Sequence, residues 1–293
     1  MNRLIDAIAI LITLAIVQGC TQLPKAKEEL SMTTTTHQHD GHTVAETNHS
    51  HHSTHDTHHA QASSSVQAQL TTSGKVLPNT PVSLQIDVSD ANGNAIAQFD
   101  KFQEQVMHLI AVSDDLQVFQ HLHPAYKGNG RFEVEARFPK AGNYTLFSDY
   151  KPAGQAEQVS VLRTQVDGNS ASAAQPDWSR TKTFGQTTVG FAPTKSTIRP
   201  GEEITLRFNL QDAADGQLTL QPYLGEKGHL VILRQSSALS KADYIHAHAL
   251  QNTPSNQVHF ATSFPQPGKY KLWGQFNRGG EIITADYWVE VIR

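Results

Sequence analysis

From Val66 onward, short apolar runs alternate with polar residues at a period of two and break at turn-forming residues. In Pro81-Val82-Ser83-Leu84-Gln85-Ile86-Asp87-Val88, the residues Val82, Leu84, Ile86 and Val88 fall on one side of an extended chain, and the run ends in the turn-rich stretch Ser89 to Asn94. Successive side chains of a strand leave opposite faces, so this pattern predicts a half-buried strand. Arg131 to Phe138 repeats it before Pro139-Lys140-Ala141-Gly142-Asn143. No segment carries a sustained helical period flanked by caps. The predicted fold is therefore all-β, and strands this short and this regularly interrupted argue for a sandwich or a barrel.

The second half of the chain repeats the first. Phe138-Pro139-Lys140-Ala141-Gly142-Asn143-Tyr144-Thr145-Leu146-Phe147 returns as Phe264-Pro265-Gln266-Pro267-Gly268-Lys269-Tyr270-Lys271-Leu272-Trp273, and the strand Val82 to Val88 returns as Glu203 to Leu210. Met107-His108-Leu109-Ile110-Ala111-Val112 matches Gly228-His229-Leu230-Val231-Ile232-Leu233, and Phe119-Gln120-His121-Leu122-His123 matches Tyr244-Ile245-His246-Ala247-His248. Two β-sandwich domains are expected, at 66–163 and 183–293. The linker, 164–182, is poor in large apolar groups apart from Trp178.

The first 65 residues have a different texture. Asn2 and Arg3 precede an apolar run from Ala7 to Val17 that stops at Gln18-Gly19-Cys20, which reads as a secretory signal over 1–19. Val17-Gln18-Gly19-Cys20 resembles the lipobox of bacterial lipoproteins, which implies lipidation of Cys20 and a place in the cell envelope, with the outer membrane favoured by Thr21 after the cysteine. Cys20 is the one cysteine of the chain, so acylation leaves no thiol for a disulfide or a thiolate metal site. Residues 20–65 lack the apolar side chains needed to offset the entropy of folding, and a disordered, His-rich tether is expected there.

Histidine is the candidate chemistry. Nine of the 16 histidines fall in that tether, at His37, His39, His42, His49, His51, His52, His55, His58 and His59, a composition suited to weak, rapidly exchanging metal binding. In each folded copy, one histidine opens an apolar run and a His-x-His pair follows. Residues two apart on a strand share a face, so His121 points with His123, and His246 with His248. If the two runs pair as neighbouring strands, each copy gathers three imidazoles: His108, His121 and His123 in the first, His229, His246 and His248 in the second. Three neutral imidazoles suit copper, zinc or nickel. Met107 adds a thioether as an accessory ligand, although strand parity turns it away from His108. Asp149 and Asp286 are candidate partners for imidazole N–H groups. Phe147, Trp273, Tyr144 and Tyr270 follow the repeat and are expected in the core, while Asp114 and Asp115 read as a turn.

The formal net charge of −4, without a long basic block, argues against nucleic-acid binding. No phosphate loop, nucleophile elbow or His-Glu-x-x-His motif is present, so no enzyme is expected. The pattern of Met-His or Gly-His opening a strand, a later His-x-His-Pro, and a Phe-Pro-x-x-Gly-x-Tyr turn resembles secreted and membrane-anchored bacterial domains of the Ig-like class that accompany copper and other heavy-metal efflux systems. The resemblance implies tandem Ig-like or cupredoxin-like sandwiches that bind transition-metal ions, copper first, for capture, buffering or delivery to an efflux component. The competing expectation is a non-catalytic interaction module of the envelope in which the histidines are structural.

Overall fold

The computed structural model describes residues 66–170, 174–212 and 218–293. The signal segment, Cys20 and the tether with its nine histidines lie outside the described residues. The first copy contains β1 (Val66–Thr72), β2 (Pro81–Asp90), β3 (Phe99–Asp100), β4 (Met107–Ser113), β5 (Phe119–Leu122), β6 (Ala125–Gly128), β7 (Arg131–Arg137), β8 (Gly142–Pro152) and β9 (Gln158–Val166). The second contains β10 (Thr181–Phe184), β11 (Thr187–Pro193), β12 (Glu203–Asp212), β13 (His229–Arg234), β14 (Tyr244–His248), β15 (Gln257–Ser263), β16 (Gly268–Arg278) and β17 (Glu281–Val291). The only helical turn among the described residues is the short 3-10 segment Lys241–Asp243.

Each copy is a two-sheet antiparallel sandwich in which β1-β2-β7 of the first corresponds to β11-β12-β15 of the second, with β6 and β10 added on opposite edges. One sheet runs β1-β2-β7-β6 in the first copy and β10-β11-β12-β15 in the second. The other joins β5, β4, β8 and β9 in the first copy, with β3 on the end of β8, and runs β14-β13-β16-β17 in the second. The alternation read from the sequence is the burial pattern observed: Val82, Leu84, Ile86 and Val88 enter the first core, and Ile204, Leu206, Phe208 and Leu210 the second.

The repeated Phe-Pro-x-x-Gly-x-Tyr segment is the corner that leads into β8 and β16. The Tyr144 hydroxyl donates to the carbonyl of Lys140 at 2.9 Å, and that of Tyr270 to the carbonyl of Gln266 at 2.7 Å. Burying a phenol requires such an acceptor, and a tyrosine closing this corner is a recurrent feature of Ig-like sandwiches. Gly142 (φ +133°) and Gly268 (φ +142°) hold a backbone conformation that a side chain disfavours, which explains the glycine in both motifs.

The two sandwiches belong to one compact unit, and β4 and β13 show why. All seven residues of β4 are buried, as are five of the six in β13, so neither face of these strands meets solvent. Leu109 and Ala111 face the first copy's core, whereas Ile110 and Val112 face outward to meet Val231 and Leu233 of the second copy in a shared apolar seam. Phe147 and Trp273, expected in the cores, lie in this seam instead, because they stand on the outward faces of β8 and β16. Phe119 stacks on Trp273 at 4.9 Å and 15°, and Tyr244 stacks on Phe147 at 4.8 Å and 16°. Since Phe119 corresponds to Tyr244 and Phe147 to Trp273, the seam joins equivalent surfaces about an approximate two-fold axis. Lys271 and Arg163 cross it to the carbonyls of Leu116 and Leu239, both at 2.8 Å.

Candidate metal centre

The strand parity that sends Ile110 and Val231 into the seam sends His108 and His229 there too. β5 pairs with β4 so that His121 lies opposite Ile110, and β14 pairs with β13 so that His246 lies opposite Val231 and His248 opposite His229. Both triads thus stand on the faces that meet. Two separate triads were expected, one per copy; instead the six histidines form one cluster across the seam. Ring centroids of His108 and His229 are 5.8 Å apart, those of His121 and His229 4.4 Å, and those of His229 and His246 4.4 Å. His108 and His229 are buried, while His248 stands at the rim with 52% of its side chain exposed.

Most rings are pinned through one nitrogen, which fixes the role of the other. His108 donates from Nε2 to the carbonyl of Phe102 at 3.2 Å, and His121 donates from Nδ1 to Gln275 Oε1 at 2.7 Å. His246 donates from Nδ1 to Asp149 Oδ2 at 3.1 Å, and His248 Nδ1 lies between Glu226 Oε1 at 2.9 Å and Gln103 Nε2 at 3.0 Å. A second partner on each ring is the arrangement that orients imidazole for a metal. His121 and His246 are each held by the other copy, so their positions require the assembled pair.

The freed nitrogens converge. His108 Nδ1 lies 3.0 Å from His121 Nε2, which lies 3.2 Å from His123 Nε2. Ligand atoms of His108, His121 and His229 all fall within 4.8 Å of one another. At metal–nitrogen bonds of about 2.0–2.1 Å, two imidazole nitrogens on one tetrahedral ion stand about 3.3 Å apart, close to the spacing found here. Burial keeps the rings neutral: desolvation lowers the pKa of His108 from 6.5 to about 4 and holds His121 and His229 well below the usual range. His123 is lowered by the same cause. With the His108 proton on Nε2 toward Phe102 and the His121 proton on Nδ1 toward Gln275, His108 Nδ1 and His121 Nε2 face each other as lone pairs; in the other tautomers the pair is a hydrogen bond. His229 has no partner on either nitrogen, nor does His246 on Nε2. At the rim, the hydrogen bond to Glu226 raises the pKa of His248.

Met107 is buried in the first core, on the face opposite His108, and the strand is regular through it, so the accessory role expected for its thioether is not open to it. Asp286 pairs with Lys182 and Lys271 rather than with imidazole. Asp114 and Asp115 bind the hydroxyls of Thr145 and Ser113. Gln275, Phe102 and Glu226 escaped the sequence reading. Gln275 corresponds to Asp149 in the repeat, which was the available signal. Phe102 and Glu226 lie on two equivalent tight turns, Phe102–Gln105 and Tyr223–Glu226. Gln103 and Glu104 adopt φ of 45° and 65° there, as do Leu224 and Gly225 at 56° and 75°. The first of these turns lacks the Asn or Gly that usually announces such a conformation.

Residues 60–167 and 182–292 each match the profile of one family, described as "Domain of unknown function (DUF8832)". The chain belongs to this family. Its two copies are the two sandwiches, and both contribute to the histidine cluster. No curated protein matches the chain. Among solved structures, the Escherichia coli adhesin FdeC is similar at 15% identity and a TM-score of 0.27, over 78% of this chain and 65% of that one. Native Escherichia coli alpha-2-macroglobulin is similar at 16% identity and a TM-score of 0.27, over 78% of this chain and 14% of that one. A two-domain fibronectin type-III segment of chicken tenascin is similar at 9% identity and a TM-score of 0.23, over 76% and 98%. The chain thus spans less than two thirds of the length of the adhesin and macroglobulin chains.

Proposed function

We propose that this protein binds a transition-metal ion, copper foremost, in the seam between its two domains, and that it serves metal capture, buffering or delivery to an efflux component in the cell envelope. The observation that carries the reading is the buried convergence of His108 Nδ1 and His121 Nε2 at 3.0 Å beside His229, with an oxygen already standing at the other nitrogen of His108 and of His121. With both protons turned to those oxygens, two lone pairs face each other, and a cation relieves their repulsion. His108, His121 and His229 are the central ligands, with His123 adjoining. A set of neutral nitrogen donors suits Cu²⁺, Zn²⁺ and Ni²⁺; the resemblance to efflux-associated domains favours copper.

Lipidation at Cys20 and the His-rich tether give the reading its location and a supply of weakly held ions. The carboxylate of Asp149 orients a ring inside the buried seam and that of Glu226 holds one at its rim, an arrangement that supports binding over turnover. The apolar seam favours a second reading, an interaction module in which the histidines only join the domains.

The full chain, loaded with copper and then stripped with a weak chelator, is expected to retain metal by elemental analysis, and the double variant His108→Ala, His121→Ala is expected to lose it. Retention unchanged in a folded double variant refutes the assignment of these ligands. No retention by the native protein favours the second reading.

A further inference from the structure

We propose that the cluster holds two ions and that His229 bridges them. This rests on the metal-binding reading above and deepens it. By the approximate two-fold, His229 and His246 correspond to His108 and His121, and the ring centroids of His229 and His246 stand 4.4 Å apart. In the second half of the cluster Asp149 accepts the Nδ1–H of His246, which leaves Nε2 of that ring as a ligand atom, while His248 at the rim is engaged by Glu226 and Gln103. His246 Nε2 is buried without a partner.

His229 is the ring that the first ion does not fully account for. It is 1% exposed, and both of its nitrogens are buried and unpartnered. Its centroid lies 4.4 Å from His121 on one side and 4.4 Å from His246 on the other. One ion between His108, His121 and His229 uses one of these nitrogens and leaves the second, with its proton, facing no acceptor. An ion held between His229 and His246 removes that deficit. As it binds, the remaining ring proton of His229 passes to solvent and the ring becomes an imidazolate with a metal on each nitrogen. The charge placement agrees: Asp149 in the first copy stands where the second has Gln275, so the carboxylate of Asp149 belongs to the second position and offsets part of the added charge.

The test uses the full chain titrated with Cu²⁺, stripped of weakly held ions by a weak chelator, and read by elemental analysis and electron paramagnetic resonance. Two retained ions per chain with a resonance signal far below the copper content, the mark of spins paired through an imidazolate, support the proposal. So does His246→Ala retaining one fewer ion with its signal restored to the copper content. His229→Ala, checked for folding by circular dichroism, is expected to lose the pairing as well. One retained, magnetically isolated ion overturns the bridge and leaves the metal-binding reading standing. Two retained ions with full signal intensity also overturn the bridge. No retained ion overturns both.

Discussion

Acid destabilises the metal-free protein through His108. Its pKa lies at about 4 in the folded chain because burial removes water from the ring, against 6.5 for an exposed histidine. Between those values the unfolded chain binds a proton that the folded chain refuses. The contribution is therefore nil above pH 6.5, grows as the pH falls, and is complete near pH 4. Integrated across this window, it amounts to about 3 kcal/mol lost from this one ring, a large share of the stability of an ordinary domain. His121 and His229 are shifted in the same direction by the same cause and steepen the loss. His248 does not compensate: its pKa is raised by Glu226, so its contribution is already fully present below pH 6.5 and is lost only as the pH rises through its folded value. The assay is the urea midpoint of chelator-treated protein measured at intervals from pH 7.5 to 4.5, for the native chain and His108→Asn. Carboxylates that titrate in both proteins cancel in the comparison. The variant is expected to show a shallower decline, the two curves converging by about 3 kcal/mol towards the acid end. Parallel curves refute the claim that His108 is buried as a neutral ring.

Asp149→Asn removes the carboxylate that orients His246 and is expected to weaken copper binding about 10–100-fold in competition with a chromophoric chelator, whereas Asp286→Asn, whose carboxylate pairs with lysines, leaves it unchanged. Trp273→Ala empties the seam against Phe119 and is expected to cost about 3–5 kcal/mol, read by denaturant unfolding, with the single transition splitting as the copies uncouple. Tyr144→Phe and Tyr270→Phe each forfeit one corner hydrogen bond, about 1 kcal/mol apiece, and in separate cores the two losses add in the double variant.

The alternation in β2, β7 and β12 was legible because strand periodicity is local: each residue's face follows from its neighbour's, and only a one-sided core makes that pattern. The repeat was legible for the same reason, and it picked out His108, His121 and His123 and their counterparts together. The seam was not. The run Met107 to Val112 is apolar on both faces, so its pattern states that the outer face is covered without stating by what. Residues such as Gln275 and Glu226 gain their roles only by facing a histidine across the seam or across a turn.

The sequence by itself determined two all-β copies, the faces on which their histidines stand, and the corner tyrosines, since all of these follow from spacing along one strand or one turn. Only the tertiary structure decided that the two outward faces meet. Packing between non-adjacent sheets depends on the shape and burial of whole surfaces, here on Ile110, Phe147, Val231 and Trp273 closing on one another. That closure turns two triads into one cluster of six histidines and leaves His229 between them with both nitrogens free.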